Sequence, residues 1–91
     1  QYSWRVNAPE TGMYEIAVWY ESDPAGTDAA EYVIANAGGP LTTRLDQRAW
    51  GARWIKLGDV ELERGAGAVT VTNAGTGRLV PGRLRVTRWA K

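Results

Sequence analysis

Met13-Tyr14-Glu15-Ile16-Ala17-Val18-Trp19-Tyr20 is the stretch whose reading decides the fold class. Tyr14, Ile16, Val18 and Tyr20 fall on one face of an extended chain, and Glu15, Ala17 and Trp19 on the other. A period of two with β-branched and aromatic residues specifies a strand with one buried face. Pro9 to Gly12 form the turn before it. The same alternation recurs outward in both directions. Tyr2-Ser3-Trp4-Arg5-Val6 is a short strand, with Tyr2, Trp4 and Val6 on one side. Glu31 to Asn36 is another. Ala37-Gly38-Gly39-Pro40 turns the chain into Leu41 to Asp46, where Leu41, Thr43 and Leu45 share a face.

Further on, Trp54 to Leu57 reads as a strand, Gly58-Asp59 as a turn, and Val60 and Leu62 as the inward residues of the next strand. Arg64-Gly65-Ala66-Gly67 is a further turn. Val69 to Asn73 follows, with Val69 and Val71 inward. Arg83 to Arg88 closes the fold, with Leu84 and Val86 inward and Arg83, Arg85 and Arg88 in an outward stripe. The longest loop, 21–30, contains Pro24-Ala25-Gly26, which argues against a helix. About eight short strands, no significant helix and a turn every 8–12 residues predict an all-β chain, an antiparallel β-sandwich of jelly-roll type.

Composition narrows the chemistry. The 91 residues contain no Cys and no His, and only two Ser. Thiolate chemistry, Ser-His triads and histidine metal ligation are therefore absent from this chain. Paired carboxylates for glycoside hydrolysis would have to come from Glu15, Glu31, Glu61 and Glu63, all at outward strand positions with no sign of a cleft. No Asp/Asn cluster has the density of a calcium loop, and no cofactor motif occurs. No catalytic, metal or cofactor residue is expected. No apolar run approaches the roughly 20 residues of a membrane span, and the mildly basic pI of 8.3 without an RNP-like aromatic motif argues against nucleic acid. Charge is divided unevenly. Residues 1–43 carry six acidic residues against Arg5, and residues 44–91 carry ten basic residues against four acidic ones.

Phe is missing while Trp numbers five and Tyr four. Aromatics with a polar handle suit surfaces that are packed on one side and wet on the other. Asp46-Gln47-Arg48-Ala49-Trp50-Gly51-Ala52-Arg53-Trp54 concentrates them with charged and amide groups. Trp50 lies in a loop beside Gly51 and is a candidate to stack on the C–H face of a sugar ring. Asp46, Gln47, Arg48 and Arg53 could address hydroxyls or a uronate around it. The alternative for Arg48 is a local pair with Asp46. Trp54 is expected in the core with Ile55 and Leu57. Trp19, on the outer face of its strand, is either a sugar platform or covered by the 21–30 loop or a neighbouring domain. Trp89 either packs back on Tyr2 or Trp4 or faces a neighbour. The arginine stripe either pairs with Glu15, Glu61 and Glu63 on adjacent strands or forms a surface for an anionic polymer.

The residues Pro9-x-x-Gly12-x-Tyr14-x-Ile16-x-Val18-Trp19-Tyr20, then Asp46-Gln47-Arg48, then Gly51-Ala52-Arg53-Trp54-Ile55-Lys56-Leu57-Gly58 form an ordered set. In this order they resemble the golvesin and xanthan-lyase type carbohydrate-binding-like domain, a galactose-binding-like jelly roll. The resemblance covers residues 4–73. It implies a non-catalytic module, 1–91, excised from a larger secreted bacterial protein that acts on polysaccharide. Its partners would be a polysaccharide or oligosaccharide, neutral or acidic, and neighbouring domains. A purely structural module docked on a catalytic domain is the alternative. Two features depart from the family: a strand region that normally precedes the position of Trp4 is missing, and Gly82 stands where the last strand normally carries an acidic residue. The fucosidase- or sulfatase-appended jelly rolls, with L-G-x-V-x-L-x-x-G, also fit residues 57–65.

Overall fold

In a computed structural model, which describes residues 1–36, 39–49, 51–65, 67–80 and 82–89, the chain forms two antiparallel sheets. Seven strands run in order: β1 (Tyr2–Arg5), β2 (Gly12–Trp19), β3 (Ala30–Ala35), β4 (Leu41–Leu45), β5 (Trp54–Leu62), β6 (Ala68–Asn73) and β7 (Arg83–Arg88). One sheet has the order β1-β6-β3-β4 and the other β5-β2-β7. No helix occurs among the described residues. The all-β sandwich expected from the alternation is therefore the fold.

The core sits between the sheets. Tyr14, Ile16 and Val18 of β2 face Tyr32 and Ile34 of β3 and Val69 and Val71 of β6, all buried. Tyr14 keeps its polar tip by donating to the carbonyl of Glu10, at 2.5 Å, four residues upstream. That bond ties the entry turn to the first core residue of β2, much as tyrosine corners do in other sandwiches. On one side of the sandwich the sheets are stitched together: Thr43 of β4 donates to the Leu57 carbonyl of β5. On the other side, between β1 and β7, an open groove of about 410 Å³ is walled by Trp4, Val6, Ala8, Leu84 and Val86.

β5 corrects two sequence expectations. Gly58-Asp59 is not a turn; it lies inside a single nine-residue strand. Between Ile16/Ala17 the β2–β5 register shifts, with Ile16 opposite Gly58 and Ala17 opposite Lys56, so that Leu57 is the extra residue of a β-bulge. Ile55 and Leu57 point inward before the bulge, Val60 and Leu62 after it. Gly58 has no side chain because Leu41 of β4 lies where its Cβ would be. Two predicted short strands thus merge into one, which accounts for seven strands in place of eight.

The second correction concerns Trp54. It is 38 % exposed and stands on the outer face. Neighbours in a strand cannot share a face, and Ile55 takes the inward position.

Candidate functional site

The outer face of the three-stranded sheet is built by register. β2 lies between β5 and β7, and Trp19 pairs with Trp54 on one side and with Arg83 on the other. One row down, Ala17 separates Lys56 from Arg85. Ala17 is the smallest side chain on this face, and Arg85 crosses above it to place its guanidinium carbon 4.6 Å from the centre of the Trp54 ring. Arg83 lies 4.7 Å from the centre of the Trp19 ring. Ala17 is only 1 % exposed although it faces outward, as expected beneath such a bridge. Arg83 makes no ion pair among the described residues, and Arg85 has only Glu15, at 4.0 Å. Lower on the face, Lys56 pairs with Asp59 at 2.7 Å, and Trp89 donates to Asp59 at 3.0 Å. Trp89 is half exposed and turned to this carboxylate.

The loop after β4 lies at the Trp54 end of this face. Its backbone N–H groups tie it to the segment after β2: Gly51 donates to the Ser22 hydroxyl and Ala52 to the Tyr20 carbonyl. A Cβ on Gly51 would meet the Tyr20 carbonyl at 2.7 Å, so glycine is required for this approach. Burial of the Tyr20 ring pushes its hydroxyl pKa up, aided by Asp46 and opposed by Arg53. The hydroxyl donates to the Ala49 carbonyl at 2.6 Å.

The predicted recognition residues separate within this loop. Gln47 is fully buried and has no atom to offer a ligand. Its amide nitrogen donates to the Tyr32 hydroxyl at 3.1 Å and to the Val80 carbonyl at 2.9 Å, and its oxygen accepts from the Val80 N–H at 2.7 Å. It is a frame residue, and burial around its partner pushes the Tyr32 hydroxyl to about 12. Asp46 and Arg48 form a two-pronged local pair at 2.9 and 2.8 Å, the alternative anticipated for Arg48. Arg53 is exposed beside Trp54, and with Leu45 and Ile55 the two line a shallow depression of about 340 Å³. Trp50 lies outside the described residues.

The Arg48 guanidinium and backbone N–H hold the Asp46 carboxyl well below its ordinary 3.8, to about 2. A carboxylate favoured in the folded chain adds its stability in full above its unfolded pKa and loses it as pH falls toward 2. Carboxyl-carbon NMR of Asp46 is expected to titrate near pH 2 in the wild type, and Arg48→Gln to move that midpoint up. An unmoved midpoint would mean the pair does not form in solution.

The structure thus assembles a site that sequence spacing only half reveals. Arg83 and Arg85 are outward by alternation with Leu84 and Val86. That they lie on Trp19 and Trp54 depends on β7 pairing with β2, which no local pattern encodes. Among the described residues no three His, Cys, Asp or Glu side chains come together as a metal cluster.

Comparison with known proteins agrees with this architecture. The chain is 32 % identical over 72 residues to the xanthan lyase of Bacillus sp. (strain GL1), covering 78 % of this chain and 8 % of that protein. It is 28 % identical over 91 residues to golvesin of Dictyostelium discoideum, covering 96 % of this chain and 16 % of that protein. The chain therefore spans less than a fifth of either relative. The solved structure of a Paenibacillus xanthan lyase superposes with a TM-score of 0.90 at 21 % identity, over 97 % of this chain and 9 % of that one, and shares the fold. The profile of the golvesin C-terminal domain matches residues 1–88. With two sheets, seven strands and this match along almost its whole length, the chain belongs to the golvesin C-terminal domain family.

Proposed function

We propose that this domain is a non-catalytic carbohydrate-binding accessory module of a secreted polysaccharide-active enzyme. The observation that carries the reading is the pair of indoles, Trp19 and Trp54, side by side on the outer face of the three-stranded sheet, each with an arginine guanidinium against it. Arginine donors stand at that face, and a sugar ring needs both an apolar surface and donors for its hydroxyls. The position of the chain's relatives within far longer proteins, one of them named a xanthan lyase, fits an appended module. Arg53 and the outer atoms of Asp46 and Arg48 would extend the contact at the loop end. A shallow site of this kind binds weakly, on the order of micromolar to millimolar, because few contacts offset the cost of association.

Tryptophan emission is expected to change on titration with polysaccharides including xanthan, and Trp19→Ala or Trp54→Ala to weaken binding by about tenfold, the loss of one stacked aromatic. Trp50→Ala measures what the loop adds. If wild type responds to none of a panel of neutral and acidic polysaccharides, the reading is wrong.

The β1–β7 groove favours a second reading. Its apolar wall of Trp4, Leu84 and Val86 suits packing against a neighbouring domain, with no sugar bound. Amide exchange in the parent protein would then show β1 and β7 protected beyond the isolated domain.

A further inference from the structure

The outer face of β5-β2-β7 carries a feature that discriminates between sugars. Both indoles that could receive a sugar ring already have a guanidinium over them, Arg83 on Trp19 and Arg85 on Trp54. A neutral ring stacking there must lift the guanidinium away and lose the cation–π contact. A carboxylate need not. A guanidinium lying on an aromatic face keeps its N–H edge in its own plane, free to grip two oxygens at once. Stacking also restrains a side chain that would otherwise be ordered at binding, so less freedom is lost when the anion arrives.

Charge on this face supports the same ligand. Arg83 has no carboxylate partner among the described residues and Arg85 only the long 4.0 Å contact with Glu15. Of the other charges on this face, Lys56 and Asp59 are paired to each other, and Glu61 lies beyond them, opposite Met13. Arg83 and Arg85 stand two residues apart on one strand, about 6.8 Å, so neighbouring acidic groups on one chain can engage both.

Resting on the carbohydrate-binding reading, we propose that the Arg83–Trp19 and Arg85–Trp54 stacks form a site for carboxylate-bearing polysaccharide. The guanidinium edges take the carboxylates, and the indoles act as their backing plates. Ala17 belongs to the device, because any larger side chain there would push Arg85 off Trp54.

The test titrates the domain with polygalacturonate, alginate and xanthan, each beside its carboxyl-reduced form, by tryptophan emission and amide NMR. The acidic forms are expected to bind about tenfold or more tighter, the size of a charge-assisted hydrogen bond. Arg83→Gln and Arg85→Gln should each remove most of that preference. Arg85→Lys should recover only part of it, since lysine restores charge without the planar fork. Arg44→Gln, on the opposite sheet where Arg44 pairs with Glu31, should change nothing. All variants are checked for wild-type amide spectra. Equal affinity for acidic and reduced forms overturns this inference and leaves the sugar-binding reading standing. Acid preference that survives both glutamine variants overturns it as well. Tighter binding of a single-stranded oligonucleotide than of any acidic polysaccharide would show a general polyanion surface and also overturn it. Failure of every polysaccharide to bind ends both readings.

Discussion

Gln47→Ala is expected to lower the unfolding free energy by on the order of 3 kcal/mol, and the thermal midpoint by about 12–24 °C for a domain of this size. The fully buried Gln47 amide joins three separate parts of the chain. It bonds the Tyr32 hydroxyl in the core of the four-stranded sheet and both backbone groups of Val80, just ahead of β7. Its own N–H reaches the Thr27 carbonyl, and its carbonyl accepts from Asp23. Alanine keeps the two backbone bonds and strands the N–H and C=O of Val80 and the Tyr32 hydroxyl. Each buried group left without a partner costs about 1–3 kcal/mol, less whatever water recovers. A loss smaller than that of an ordinary surface substitution would show that the amide is not the clamp described. Thermal unfolding by circular dichroism reads it directly.

Gly82→Asp is the second large effect, expected at about 3 kcal/mol of destabilisation, the upper range for forcing atoms into a packed site. It would install the acidic residue that the family resemblance leads one to expect at this position, just ahead of β7. Here the Cβ itself would run into the backbone carbonyl of Trp19, with the Cβ of Tyr20 at 3.2 Å. A backbone carbonyl cannot swing aside as a side chain can. The change should also disturb the join between β7 and the end of β2, and hence Arg83 over Trp19, visible in near-ultraviolet circular dichroism. Gly82→Ala should show the same sign with a smaller loss. A neutral Gly82→Asp would mean that the chain before β7 has room to move.

These positions show which information is local. The sandwich is legible because β2, β3, β4, β6 and β7 each carry uninterrupted alternation with a buried face. β5 is not, because Gly58-Asp59 has turn chemistry while sitting where Leu41 needs space and a bulge resets the phase. Trp54 follows from that error: its side is decided by strict alternation with Ile55, and size alone suggests the core. Gln47 is indistinguishable from a solvent-facing loop amide until Tyr32 and Val80 are brought to it by chain segments 15 and 33 residues away. The Arg48–Asp46 pair, by contrast, spans two residues and is read easily.

The bulge at Leu57 reaches beyond packing. Before it, the side chains turned outward on β5 are Trp54 and Lys56; after it, they are Asp59 and Glu61. An unbulged strand of the same sequence would have to turn either Ile55 and Leu57 or Val60 and Leu62 to water. One inserted residue therefore sorts the outer face by sign, with Arg83 and Arg85 beside Trp19 and Trp54 at one end and Glu15, Asp59 and Glu61 at the other. The face has an electrical direction. A polyanion drifting toward it is turned so that it meets the Arg83 and Arg85 end first, and added salt should slow that arrival more than it hastens departure.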